Sequence, residues 1–247
     1  MPRYRARLFL RIVAIVYLII LHLGIAAFIL SPEFRAAIAW RLPGAARERQ
    51  EAYWRSMVAA EARLDATVSP GAIYFIGDSG IESLDVGQVA DHAVNYGIGG
   101  DTITGVMRRL RVYKSLPSAR AVVLLVGSND LIERPAADAS KGYASLLAAL
   151  PGAPLIAVGV LPIDERAVRY DQGHRDNEEI AKLDKAIKAL CDARPSCSFL
   201  DLRSRFADES GNLAAAFDWG DGLHLNAAGY RIAIDALRAE IARRLGR

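Results

Sequence analysis

From Ser69 onward the sequence predicts an α/β fold, a three-layer α/β/α sandwich around a mainly parallel five-stranded sheet. Two observations carry that prediction. Short apolar runs alternate with longer amphipathic segments, which is the pattern of βα units. Runs such as Val122-Val123-Leu124-Leu125-Val126 also lack polar alternation, so both of their faces must be covered, as in a parallel sheet.

The expected strands are Ala72 to Ile76, His92 to Asn95, Ala121 to Val126, Leu155 to Val160 and Ser198 to Leu202. Helices are expected at about Thr102 to Ser115, Ala136 to Leu150, Asn177 to Asp192 and Asn226 to Leu245, with Asn226 as the N-cap of the last. Ligands of an open parallel sheet bind beyond the carboxyl ends of its strands. Three polar strings follow predicted strands: Gly77-Asp78-Ser79, then Gly97-Ile98-Gly99-Gly100-Asp101-Thr102, then Gly127-Ser128-Asn129-Asp130. A fourth, Asp221-Gly222-Leu223-His224, precedes the last helix.

The first and fourth strings hold a nucleophile, a base and an acid to orient the base. Covalent acyl transfer needs a hydroxyl activated by an imidazole, itself held in one tautomer by a third group. Ser79, His224 and Asp221 can fill those roles, and the i, i+3 spacing of Asp221 and His224 lets one turn carry both. Taken singly, each residue reads as a turn or cap residue. Their order along the chain outweighs that reading.

The four strings resemble the signature blocks of the SGNH hydrolases, also called GDSL lipases or esterases, over about residues 72 to 245. The resemblance implies a flavodoxin-like fold in which Ser79 is the nucleophile, His224 the base and Asp221 its partner. It further implies an oxyanion hole made by the N–H of Ser79, the N–H of Gly100 and the side chain of Asn129. Gly100 aligns best because it directly precedes Asp101-Thr102. Preorganised donors of this kind are worth about 2.7–4 kcal/mol each, and a residue without a Cβ lets the backbone approach a substrate closely. Gly80-Ile81 departs from the leucine or isoleucine-threonine pair often found after the nucleophile. Gly77-Asp78-Ser79-Gly80-Ile81 lacks the last glycine of a G-x-S-x-G elbow, and Thr102 stands where a dinucleotide fingerprint needs its final glycine. Asp78, Asp101 and Asp130 are expected to be caps and loop hydrogen-bond partners.

Before the catalytic segment lie a basic tail (1–11), an apolar span (12–30) and a helical linker (31–68); residues 69–247 are expected to form the hydrolase domain. The 19 residues from Ile12 to Leu30 carry no formal charge, and as a helix they reach roughly 28 Å, the thickness of a bilayer core. A cleaved signal peptide is the competing reading, but its apolar region runs only about 7 to 15 residues. Arg3, Arg5, Arg7 and Arg11 precede the span, whereas Arg35, Arg41, Arg47 and Arg49 are spread out after it beside Glu33 and Glu48. That asymmetry favours a cytoplasmic tail and an exported domain. In the linker, Ala45 to Ala66 is helix-like, punctuated upstream by Pro32 and Pro43, with a partial apolar face of Tyr53, Trp54, Met57, Val58 and Leu64.

The formal charge of +3 is unevenly placed: the first 68 residues hold ten arginines against five acidic residues (+5), the remainder carries −2, and nucleic acid is not an expected partner. The expected substrate is a small-molecule, lipid or glycan ester, and no cofactor is implied. His92 and His174 have no evident partners, and four histidines without ligand spacing give no support to a metal site. Cys191 and Cys197, separated by five residues, either form a small disulfide or stay as buried thiols. Tyr170, Phe217 and Trp219 are expected to pack in the core or anchor loops rather than line the cleft. The same triad would serve an O-acyltransferase, and an SGNH-fold binding module without activity is the reading from another class.

Overall fold

The structure, a computed structural model, describes residues 2–31, 44–168, 173 and 175–246. Pro32, Pro43, Glu33, Arg35, Arg41, Tyr170 and His174 lie outside the described residues. The chain divides into two compact units, Met1–Tyr53 and Trp54–Arg247. In the first, helix α1 runs Pro2–Leu30 and contains the apolar stretch Phe9–Ala26, none of whose residues is buried. Helix α2 (Ala45–Asp65) crosses the boundary between the units.

In the second unit a parallel sheet has strands β1 (Ile73–Gly77), β2 (Ala93–Gly97), β3 (Ala121–Leu125), β4 (Leu155–Val158) and β5 (Cys197–Leu200), in the order β2-β1-β3-β4-β5. The chain leaves β1 toward β2 on one side and returns to β3 on the other. The carboxyl end of β1 is therefore the switch point where such sheets open a crevice. Gly77 pairs with Gly97 on one side and Leu125 on the other, so three loops start level with one another.

The alternation of strand side chains sends Tyr74, Ile76, Val122, Leu124 and Ala157 to one face, against α4 (Ile103–Arg109), α5 (Ala136–Ala149) and α6 (Asn177–Asp192). Phe75, Val123, Ile156 and Val158 face the other layer, formed by α3 (Ser79–Glu82), α7 (Arg203–Phe206) and α8 (Ala227–Leu245). Both faces of the sheet are dry, as the unbroken apolar runs require. Three predicted elements end early. The helix expected to reach Ser115 tightens into a 3₁₀ turn at Leu110–Val112 after α4. The fourth strand stops at Val158, and the Val160 N–H donates to the Asp184 carboxylate at 2.8 Å instead of to a neighbouring strand. The fifth strand ends at Leu200. Cys191 and Cys197 are disulfide-bonded with Cα atoms 4.9 Å apart, closing the turn from α6 to β5.

The carboxyl-terminal half of α2 docks through charge as much as through apolar contact. Trp54, Met57, Val58, Glu61 and Asp65 recur at helical spacing, and the two carboxylates are its most buried side chains. Leu64 and Tyr53, expected on the apolar face, are exposed. Asp65 accepts from the Ser115 N–H at 3.0 Å, the Tyr96 hydroxyl at 3.1 Å and the Ser115 hydroxyl. Glu61 accepts from the Tyr113 hydroxyl and from Arg109, whose guanidinium is fully buried. Burial pushes the Glu61 carboxyl up to about 7 against the pull of Arg109.

Removing one partner of a buried pair strands the other charge and costs about 3–5 kcal/mol. A chain beginning at Gly44 is therefore expected to unfold in urea at a midpoint near that of the full chain. A chain beginning at Ser69, which leaves Arg109 without Glu61, should lose about that much stability. Equal midpoints for the two shortened chains would remove α2 from the folded unit.

Candidate active site

Gly77 ends β1 where the backbone of β3 runs closest: a Cβ at this position would stand 2.0 Å from the Leu125 carbonyl oxygen, so only glycine fits. The Asp78 carboxylate accepts the Gly80 N–H at 3.0 Å and caps α3, making Ser79 the first helical residue. The Ser79 Oγ lies 2.9 Å from Nε2 of His224, and the other ring nitrogen lies 2.6 Å from the Asp221 carboxylate. The three side chains thus form one hydrogen-bonded chain across the strand-end crevice.

A tight loop delivers the second half of that chain. Asp218 Oδ1 accepts the N–H groups of Gly220, Asp221 and Gly222, at 2.9, 3.3 and 3.0 Å. The Asp221 Oδ1 accepts those of Leu223 and His224, both at 2.9 Å, leaving its other oxygen for the imidazole. Asn226 caps α8 through the Ala228 and Gly229 N–H groups, as expected, and its amide also donates to the Ala216 and Asp218 carbonyls. Burial by itself would raise the Asp221 carboxyl, but hydrogen bonds from the His224 ring and the two backbone N–H groups hold it below the usual carboxylate range. An ionised carboxylate only accepts. The imidazole proton therefore sits on Nδ1, and the lone pair on Nε2 faces the Ser79 hydroxyl.

Opposite the imidazole, Gly100 turns with φ +75°, a left-handed conformation that glycine adopts without strain. The Asn129 amide donates to the Asp101 carbonyl at 2.9 Å, and its oxygen accepts from Arg175 at 2.8 Å. Ser79, Gly100, Asn129 and His224 line one open cleft of about 750 Å3. A smaller pocket of about 40 Å3, reaching Asp78, Gly80, Leu125, Ser128, Val160 and Leu161, shares Ser79, Asn129 and His224 with this cleft.

The aspartates next to these residues are structural, as expected. Asp101 accepts from the Thr102 N–H, Trp54 Nε1 and Arg109 Nε, and Asp130 from the Ile103 N–H and Arg134. Phe217 packs edge-on against Phe206 with ring centres 5.6 Å apart. Trp219 departs from expectation: it is 73% exposed and lines the cleft. Its backbone N–H donates to the His224 carbonyl at 2.8 Å, which fixes the main chain at this position.

Sequence reasoning missed Arg109, Glu61 and Arg175. Arg109 had a legible signal, because it continues the spacing of Ile103 and Val106 on the core face of α4. Arg175 had none, since it lies in a connection without periodicity.

With this geometry in place, the relatives of the chain are informative. Residues 82–232 match the GDSL-like Lipase/Acylhydrolase family, and the chain belongs to it. Platelet-activating factor acetylhydrolase IB subunit alpha2 from Rattus norvegicus is 26% identical over 178 residues, 68% of this chain and 74% of that protein, and the Homo sapiens protein matches equally. Among solved structures, a Streptococcus pneumonia protein superposes with a TM-score of 0.71 at 23% identity, covering 81% of this chain and 95% of its own. A GDSL-like lipase from Bacteroides thetaiotaomicron gives 0.63 at 21%, covering 75% and 97%. A variant of an acetyl-xylooligosaccharide esterase from Geobacillus Stearmophilus gives 0.53 at 17%, covering 72% and 96%. These likenesses establish the SGNH hydrolase fold, and family membership makes the protein an ester-acting hydrolase.

Burial pushes the Asp78 carboxyl up to about 7; the Gly80 N–H opposes the rise, Asp101 adds to it, and Arg175 and His224 oppose it. A carboxyl raised on folding binds more protons folded than unfolded between its two pKa values, so its contribution to stability falls as pH rises through that window. For Asp78 the window runs from the model-peptide value of 3.8 to about 7. Glu61 and Asp184, also raised to about 7 by burial, act with the same sign. Asp78→Asn keeps the oxygen that accepts from Gly80 and removes one titration. Urea midpoints at pH 5 and pH 8 should therefore differ less for Asp78→Asn than for the parent. An equal or larger difference in the variant would contradict this assignment.

Proposed function

We propose that the protein is a membrane-anchored serine esterase that hydrolyses carboxylic esters of short acyl groups. The single observation that carries this reading is the hydrogen-bonded chain from Ser79 through His224 to Asp221 at the mouth of a small cavity. The Ser79 oxygen attacks the ester carbonyl while its proton passes to Nε2 of His224, and Asp221 stabilises the imidazolium that forms. The N–H groups of Ser79 and Gly100 and the amide of Asn129 receive the oxyanion. Collapse of the tetrahedral intermediate breaks the bond to the alcohol, which leaves with the proton held by His224. Water then attacks the acyl-enzyme, giving its proton to the same nitrogen, and the carboxylic acid departs with Ser79 restored.

The cavity beside Ser79 supports a small acyl group. At about 40 Å3 it matches a group of acetyl size, and a longer chain would have to extend into the wider cleft. The curated relatives are acetylhydrolases by name, which points the same way. The wider cleft, with Arg175 and Trp219 on its walls, would take the alcohol part. Anchoring rests on α1, which is long and apolar enough to cross a bilayer. Export of residues 54–247 rests on the arginines that precede the span and on the Cys191–Cys197 disulfide, a bond that persists in oxidising compartments.

Cells expressing the full chain should carry it in the membrane fraction, where a membrane-impermeant fluorophosphonate labels it from outside. Ser79→Ala should abolish labelling, and His224→Ala should lower kcat about 10⁴-fold or more. Equal labelling of the parent and Ser79→Ala would overturn the nucleophile; labelling only after the cells are opened would overturn the orientation. In a chain-length series, p-nitrophenyl acetate should be cleaved with kcat/KM at least ~10-fold above the hexanoate ester. A preference for the longer ester would remove the short-acyl reading.

A further inference from the structure

Arg175 grips the amide of Asn129, and it is 4% exposed. It enters just before Asp176, which caps α6 by accepting the Glu179 N–H at 2.6 Å, so its backbone is held by the start of that helix. From there Nε donates to the Ser128 carbonyl at 3.0 Å, one terminal nitrogen to the Asn129 amide oxygen at 2.8 Å and the other to the Gly173 carbonyl at 3.4 Å. Two adjacent points of the third polar string are thus held by one planar fork.

The chemistry of the two groups dictates the orientation of the amide. A guanidinium only donates and a backbone carbonyl only accepts. The Asn129 side chain lies between one of each: Arg175 at its oxygen and the Asp101 carbonyl at its nitrogen. Turning the amide over would set donor against donor and acceptor against acceptor, losing both bonds in a largely buried place. Only one orientation survives, and in it the second N–H of Asn129 remains for the cleft that Ser79, Gly100 and Arg175 itself also line. The guanidinium also polarises the amide it holds, strengthening that N–H as a donor to an oxyanion.

We infer that Arg175 is a positioning residue for the oxyanion hole, locking and polarising the Asn129 amide through a hydrogen bond to its oxygen. The inference rests on the esterase reading of Ser79 and Asn129. Because an oxyanion forms only after attack, the benefit appears in the transition state and not in substrate binding. The effect of Arg175 on kcat should therefore pass through Asn129.

The test is a double-mutant cycle in the full chain with p-nitrophenyl acetate, with thermal unfolding to establish that each variant is folded. Asn129→Ala should lower kcat about 10²–10³-fold. Arg175→Met should lower it roughly 10–100-fold with KM changed by less than about 3-fold. In the Asn129→Ala background Arg175→Met should cost less than about 3-fold more, because the partner it positions is gone. Arg175→Lys, with the charge but not the planar fork, should recover part of the loss. It also stands in for Arg175→Met in the cycle if the latter does not fold. Losses that multiply independently, or a rise in KM with kcat unchanged, would overturn the positioning role. If Ser79→Ala is inactive while the two losses are independent, the Arg175 inference alone fails. If Ser79→Ala is as active as the parent, the esterase reading fails and this inference with it.

Discussion

The strand-end crevice depends on one buried cation. Arg109 sends one terminal nitrogen to the Gly77 carbonyl at 2.9 Å, the other to the Tyr96 carbonyl at 2.9 Å and the Tyr113 hydroxyl at 2.7 Å, and Nε to Asp101 at 2.7 Å. Gly77 ends the strand that leads to Ser79, Tyr96 lies on the neighbouring strand, and Asp101 follows Gly100. A single rigid fork therefore sets the spacing between the nucleophile loop and the second loop of the site. Burying a guanidinium is tolerable only if its donors are met and its charge is balanced. Asp101 and Glu61 supply that balance, which is why α2 is part of the folded unit and not a passive tether.

The two sides of the crevice are built on opposite principles. On the His224 side, a short loop saturates two carboxylates with its own backbone N–H groups, so the imidazole is aimed by local geometry. On the Asn129 side, the aim comes from partners distant in sequence: Asp101 offers a carbonyl, Arg175 offers a donor, and Asp130 fixes the start of α4 through the Ile103 N–H. Local closure suits a base that must keep one tautomer. In the proposed mechanism, long-range closure suits donors that must not relax when charge develops, because they are embedded in a packed interior.

Charge is distributed along the chain in keeping with its segments. The arginines near the amino terminus flank an apolar helix, while those of the folded unit that matter most, Arg109 and Arg175, are buried and committed to hydrogen bonds. The basic character of the whole sequence thus says little about what the cleft binds. The cleft has an exposed aromatic at its rim, a guanidinium in its wall and a small pocket of mixed lining beside Ser79.

By itself the sequence determined the layered α/β class, put polar strings after three of its strands, and marked Ser79, Asp221 and His224 as candidates for the chemistry. These follow from short-range rules: apolar runs without alternation demand a covered sheet, and the i, i+3 spacing of Asp221 and His224 lets one turn carry both. The apolar span and the cap at Asn226 were legible for the same reason. Tertiary structure decided the rest. It set Ser79 Oγ 2.9 Å from an imidazole 145 positions away, paired Cys191 with Cys197, and turned Trp219 outward. It also recruited Glu61, Arg109 and Arg175: the spacing of α4 puts Arg109 on the core face, but no local pattern reveals what any of the three binds. A buried charge is defined by the partners that compensate it, and those partners meet only when strands and helices distant in sequence pack together.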